Sequence, residues 1–169
     1  MSQRSVWKGI VAGAAGGLAG TIVMGGFQKA LSSAEEQLQS GNGSQEQHEQ
    51  ASEPATVKAA HAISESIRGR PVTEKHKRQA GQAVHFAFGT ATGMLYGWLA
   101  EEFPPTQFGY GTLFGGALWA AADEVAVPTL GLSGAPWQYP TRIHANAFAA
   151  HLVYGITTSA VTRAVRALW

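Results

Sequence analysis

The side chains able to do chemistry in this 169-residue chain are few, and they stand in apolar company. Asp123 and Glu124 are adjacent near the end of FGYGTLFGGALWAAADEVAVP, the stretch from Phe108 to Pro128. His144 and His151 are seven residues apart, which puts both on one face of a helix, with Asn146 nearby. His85 interrupts a row of glycines at positions 81, 89, 93 and 97 that repeats every four residues. Imidazoles and carboxylates in such segments have three uses: to satisfy one another and hold helices in register, to relay protons or ions, or to ligate a metal. Zinc would take His and carboxylate ligands at about 2.0 to 2.2 Å, and haem would take His85 and His151 as axial ligands, but no spacing here is specific for either. No cofactor is therefore predicted, with haem or zinc the alternative. Nucleophilic catalysis finds no support, because the chain has neither a G-x-S-x-G motif nor a cysteine, and no catalytic residue is assigned.

The elements that would position these groups are long uncharged runs. From Phe103 to Ala122 there are twenty residues without Asp, Glu, Lys or Arg, and at about 1.5 Å per residue they span roughly 30 Å, the hydrocarbon thickness of a bilayer. Three other runs resemble it: Gly9 to Gln28 behind Arg4 and Lys8, Gln79 to Ala100, and Ile143 to Thr162. The composition agrees, with 45% apolar against 14% charged residues. The mean hydropathy near zero is an average over these runs and a polar stretch, Ser32 to Arg78. The reading is an all-α, four-span transmembrane bundle with a long polar loop that carries a short amphipathic helix. As one domain it divides into a first span (1–31), a polar linker (32–78) and a three-helix segment (79–169). Within the linker Gly41-Asn42-Gly43 acts as a breaker, and Val57, Ala60, Ile63 and Ile67 recur at helical spacing between Pro54 and the stop at Gly69 and Pro71. Glu101-Glu102-Phe103-Pro104-Pro105 ends the second span and turns it into an antiparallel hairpin with the third.

Twenty-one glycines would weaken helices in water, but small residues let membrane helices approach closely. Gly9, Gly13 and Gly17 in the first span and Gly89, Gly93 and Gly97 in the second are the candidate packing faces. The LYGW at Leu95 to Trp98 and the VYGI at Val153 to Ile156 point to two related hairpins, or to coincidence.

Four alternating spans bring His85, Asp123, Glu124, His144 and His151 to one end of the bundle, where acid and imidazole would pair. Adjacent residues on an α-helix point about 100° apart, so one acid is expected inward and the other toward the headgroups or loop. The phase of Gly116 and Trp119 favours Asp123 as the inward one. Eight of the twelve Lys and Arg residues would fall on the side of the polar excursion, which argues for a cytoplasmic excursion. A net charge of +1 argues against nucleic acid as a partner.

From Leu95 onward the chain resembles the YagU-type family of small bacterial inner-membrane proteins of unknown function. The similarity lies in YGWLAEEFP, GTLFGGAL, VPTLGL, Trp137 and AHLVYG with its His151. The resemblance implies a multi-pass protein of the bacterial inner membrane and supplies no reaction. The residues and the resemblance together indicate a non-enzymatic membrane accessory or assembly protein, with a small proton, ion or solute pathway as the alternative. Its partners would be the lipid bilayer and a second copy or another membrane protein.

Overall fold

A computed structural model describes residues 5–40 and 53–169. Arg4 and the Gly41-Asn42-Gly43 breaker lie outside them. Every regular element among the described residues is helical. Helix α1 (Val6–Ser40) runs well past the apolar run, as a helix without an internal Pro is free to do. Helix α2 (Ala55–Arg68) starts after Pro54 and stops at Gly69, whose left-handed φ of 67° suits a residue without a Cβ. Helix α3 (Lys77–Glu102) ends before the Pro104-Pro105 pair, and Gln107 caps it by donating to the carbonyl of Ala100 at 2.9 Å.

The third apolar run is not one helix from Phe103. Residues 104–111 form a tight connector in which Gly109, Tyr110 and Gly111 take φ of 61°, 54° and 91° in succession. Three left-handed residues in a row cannot belong to a right-handed helix, so helical growth begins at Thr112. Helix α4 (Thr112–Trp119) then opens into a π-helical stretch, Ala120–Ala126, before a final turn, α5 (Val127–Thr129). Pro128 has no N–H to give the carbonyl of Glu124 four residues earlier, which removes one α-helical bond from the widened segment. Helix α6 (Thr141–Arg166) closes the chain.

Helix α1 is the hub. It packs along both α3 and α6, while α4 lies on α6 and α2 on α3. Along the α1–α3 seam a Cβ on Gly9 would stand 2.6 Å from the carbonyl oxygen of Gly97, and one on Gly13 2.9 Å from Cα of Gly97. These helices therefore touch by backbone. Gly16 does the same toward α6, where a Cβ would meet the carbonyl oxygen of Thr158 at 2.6 Å. The α4–α6 pair repeats the device with Gly115 and Gly155: a Cβ on Gly155 would be 2.9 Å from the backbone nitrogen of Gly115. It is Gly115, not Gly116, that makes the close approach, since a Cβ on Gly116 would reach only the Phe148 ring at 3.4 Å.

The two Tyr-Gly pairs, Tyr96-Gly97 and Tyr154-Gly155, lie on α3 and α6. Tyr96 and Tyr154 are both buried, and each hydroxyl crosses to the other helix, Tyr96 to Ser159 at 2.9 Å and Tyr154 to the Gly89 carbonyl at 2.6 Å. Small and polar residues fill much of the interior, with Thr21, Thr92, His151, Thr158, Ser159 and Thr162 buried beside the glycines around a cluster of Met24, Tyr96, Phe114, Ala150 and Tyr154. Large apolar side chains face outward instead, including Leu18 and Ile22 on α1, Phe86 and Trp98 on α3, Leu113 on α4 and Ile156 on α6.

One helix among the described residues, α1, is both long and apolar enough to cross a membrane, over Val6–Gln37. Helices α3 and α6 have 26 residues each, enough for about 39 Å, but their inward faces of Gly, Thr, Ser and His lower their hydropathy.

Candidate functional site

The end of the bundle that holds α2 and the 130–140 loop contains a cavity of about 710 Å³. Its walls are Met24 of α1, Val84 and Phe88 of α3, Leu118 and Ala122 of the α4–π helix, and Ala147 of α6, with Ala55 and Ala59 of α2 at the rim. It exists because α4 leans on α6 rather than pairing along α3. The two helices meet through the Tyr96 and Phe114 rings, 5.0 Å apart, and the space beyond that contact is left open. The α3–α4 pair is thus not the closely packed hairpin that the short connection suggests.

All five candidate polar residues, His85, Asp123, Glu124, His144 and His151, line this cavity. Glu124 makes the tighter pair, with its Oε1 2.6 Å from Nδ1 of His144. The other ring nitrogen, Nε2, is 3.0 Å from the carbonyl oxygen of Pro136, so this imidazole has an acceptor on each side and ties the π segment to the loop. Asp123 lies 3.6 Å from Nδ1 of His151, too far for a hydrogen bond, and that nitrogen donates to the Ala147 carbonyl at 2.9 Å instead. His85 is in electrostatic reach of both His151 and Asp123.

Both acids therefore face histidines, Asp123 the buried His151 and Glu124 the loop-linked His144. The π turn explains this, because a wider turn with i→i+5 bonding reduces the angle between adjacent side chains below that of an α-helix. Glu124 has 22% of its side chain exposed against 37% for Asp123, but Asp123 is the one set beside the buried His151, while Glu124 is linked to the loop through His144. Among the described residues no three His, Asp or Glu side chains form a group that could hold a metal ion.

The row of glycines on α3 is shared between two neighbours. Gly89, Gly93 and Gly97 face α1, with Gly89 against Thr21, whereas Gly81 in the same row lies against Val57 of α2. His85 occupies the row's remaining position and points where α1 has diverged. Sequence reasoning missed the floor of the cavity: Tyr154 donates to the Gly89 carbonyl and accepts from Thr92, at 2.9 Å. The Tyr-Gly repeat was the signal for it. Also missed was the tether between α1 and α6, where Asn146 donates to Glu35 at 2.9 Å and Arg142 stands 3.8 Å from the same carboxylate.

A family model described as "Protein of unknown function (DUF1440)" matches residues 44–160. The chain belongs to that family. The DUF1440 match takes in α2, α3, the π segment and most of α6, and hence every lining carboxylate and histidine, but leaves the hub helix α1 outside it. No curated protein and no solved structure matches the chain. Membership of DUF1440 agrees with the YagU-type resemblance and assigns no activity.

Proposed function

We propose that this DUF1440 protein is a non-enzymatic accessory or assembly protein of the bacterial inner membrane. It would cross the bilayer four times, through α1, α3, residues 112–129 and α6. One observation carries the reading: glycines and buried Thr, Ser and His line the helix seams, while large apolar side chains lie exposed on α1, α3, α4 and α6. In water that arrangement would leave far more contiguous apolar surface than soluble monomers tolerate, whereas in lipid it puts each group where it is stable. Residues 112–129, eighteen in all, would cover about 27 Å, close to the hydrocarbon core. On this frame α2, the 130–140 loop and the cavity mouth share one membrane face, and the 103–111 connector lies at the other.

The alternative, a proton or solute pathway, draws on the two acid–histidine couples in one cavity. The floor speaks against continuous conduction. Beyond Tyr154 and Thr92 stand the fully buried Tyr96, Thr158 and Ser159, which separate this cavity from a smaller one of about 290 Å³ beside Glu101 and Arg166. The cavity is blind, which favours holding something over passing it.

Single cysteines test the topology, since the chain has none of its own. Trp137→Cys and Ser66→Cys should be labelled from one side of the membrane and Phe108→Cys from the other; all three positions are exposed. Labelling of all three from the same side, or recovery of the protein without membrane, would overturn the four-span reading. A proteoliposome assay separates the two functions, because an accessory protein leaves an imposed pH gradient intact.

A further inference from the structure

The cavity has a charge pattern that specifies what it would hold. Two carboxylates line it and, among the described residues, no Lys or Arg does. Glu124 is already engaged by His144, and that ring also meets the Pro136 carbonyl. Asp123 is different. Its neighbour His151 gives Nδ1 to the Ala147 carbonyl and leaves the carboxylate at 3.6 Å, so among the described residues Asp123 has no hydrogen-bond donor. The groups that face it from other helices, His85 from α3 and His151 from α6, are imidazoles and not permanent cations. Below this acceptor the walls are Met24, Phe88, Leu118 and Ala122, apolar down to the hydrogen-bonded floor.

Resting on the reading of a blind cavity in a membrane bundle, we infer that the cavity binds a single-chain amphiphile with a cationic, hydrogen-bond-donating head, an alkylammonium type. Its head would sit at Asp123 and its chain would run toward Tyr154. The size fits. Binding pockets for small molecules occupy roughly 300 to 1,000 Å³, and the cavity holds about 710 Å³. Lining residues run from Val84 to Thr92 on α3 and from Ile143 to Tyr154 on α6, which at about 1.5 Å per residue gives a depth of roughly 12 to 16 Å. An ammonium supplies the N–H donors and the positive charge that the protein itself withholds from Asp123, and charge-assisted bonds of this kind are the strong ones. A fatty acid would bring a second carboxylate to a site that has no lysine or arginine to receive it.

The experiment measures equilibrium binding of radiolabelled dodecylamine, dodecanol and dodecanoate to the purified full-length protein in nanodiscs. The wild type should bind dodecylamine most tightly. Asp123→Asn should weaken dodecylamine by roughly tenfold or more, the range for losing a hydrogen bond to a charged group, with dodecanol little changed. Leu118→Trp, which fills the apolar wall, should reduce all three. Equal affinities for the three probes, or an Asp123→Asn variant that binds dodecylamine as the wild type does, would overturn the inference while leaving the bundle reading intact. If Leu118→Trp, checked for an unchanged melting profile, binds all probes normally, the cavity is not their site and the inference falls as well. Failure of the membrane reading itself shows separately, in the cysteine labelling, which needs no ligand.

Discussion

Gly17 and Gly93 meet backbone to backbone: a methyl group on Gly93 would lie 2.5 Å from Cα of Gly17, and one on Gly17 2.8 Å from Cα of Gly93. Real Cβ atoms do not come within 3.0 Å of such neighbours, so even alanine has no room on this seam.

It follows that Gly93→Ala destabilises the protein by about 1 to 3 kcal/mol, the usual cost of overpacking, and that Gly93→Leu is worse. Gly25→Ala is the control, because a Cβ there meets nothing within 4 Å and alanine gains up to about 1 kcal/mol over glycine inside a helix. Thermal unfolding in one detergent checks all three. A Gly93→Ala protein as stable as the wild type would show that the α1–α3 seam can open without loss.

The two acids should be unequal. Glu124 is hydrogen-bonded to His144 at 2.6 Å and links the π segment to the loop through it, whereas Asp123 has its histidine at 3.6 Å. Glu124→Gln is therefore expected to lower the melting temperature more than Asp123→Asn, and His144→Ala should lower it by less once Glu124→Gln is present, the remainder being its contact with the Pro136 carbonyl. A double-mutant cycle measures that coupling; simple additivity of the two losses would mean that the pair contributes nothing.

Tyr154→Phe removes the proton given to the Gly89 carbonyl while keeping the ring that fills the floor. Thr92 can still bond back to the carbonyls of Phe88 or Gly89, at 3.0 and 3.1 Å, so the cost should stay near 1 kcal/mol. Tyr154→Ala would add a cavity and cost several times as much. Equal losses for the two variants would show that the hydroxyl, and not the ring, holds the floor.

The docking of α2 should depend on pH at its extremes. The hydrogen bond to Lys77, 2.8 Å away, holds the Glu53 carboxyl below its ordinary value, and the bonds from Lys77 to Glu53 and then Glu74 hold the ammonium above its own. A lowered acid contributes stability that is present above its unfolded pKa and is lost as pH falls through the folded one. A raised ammonium contributes stability present below its unfolded pKa and lost as pH rises through the folded one. The tether is thus complete across the neutral range and fails at both ends. Glu53→Gln should reduce hydrogen-exchange protection of the first turns of α2 at pH 7, and the difference should shrink as pH falls through the folded value of Glu53, after correction for intrinsic exchange.

The glycine spacing, the uncharged runs and the breakers were enough to read helices over most of the described chain, since a face of bare backbone every four residues has one physical use. They did not say which helix each face meets. Gly81, Gly89, Gly93 and Gly97 form one row in sequence, yet the first lies on α2 and the others on α1. The sequence likewise put five polar side chains at one end of a bundle, as alternating helices of that length must. Which acid took which histidine depended on the angle between residues 123 and 124, which the π turn sets. That turn has no signature in AAADEVA. It arises where α4 leans onto α6 through Gly115 and Gly155 and Pro128 withholds a hydrogen bond from Glu124. Local composition determined what each segment could be, whereas the close approach of backbones far apart in the chain decided where the cavity opened and which carboxylate was left without a donor.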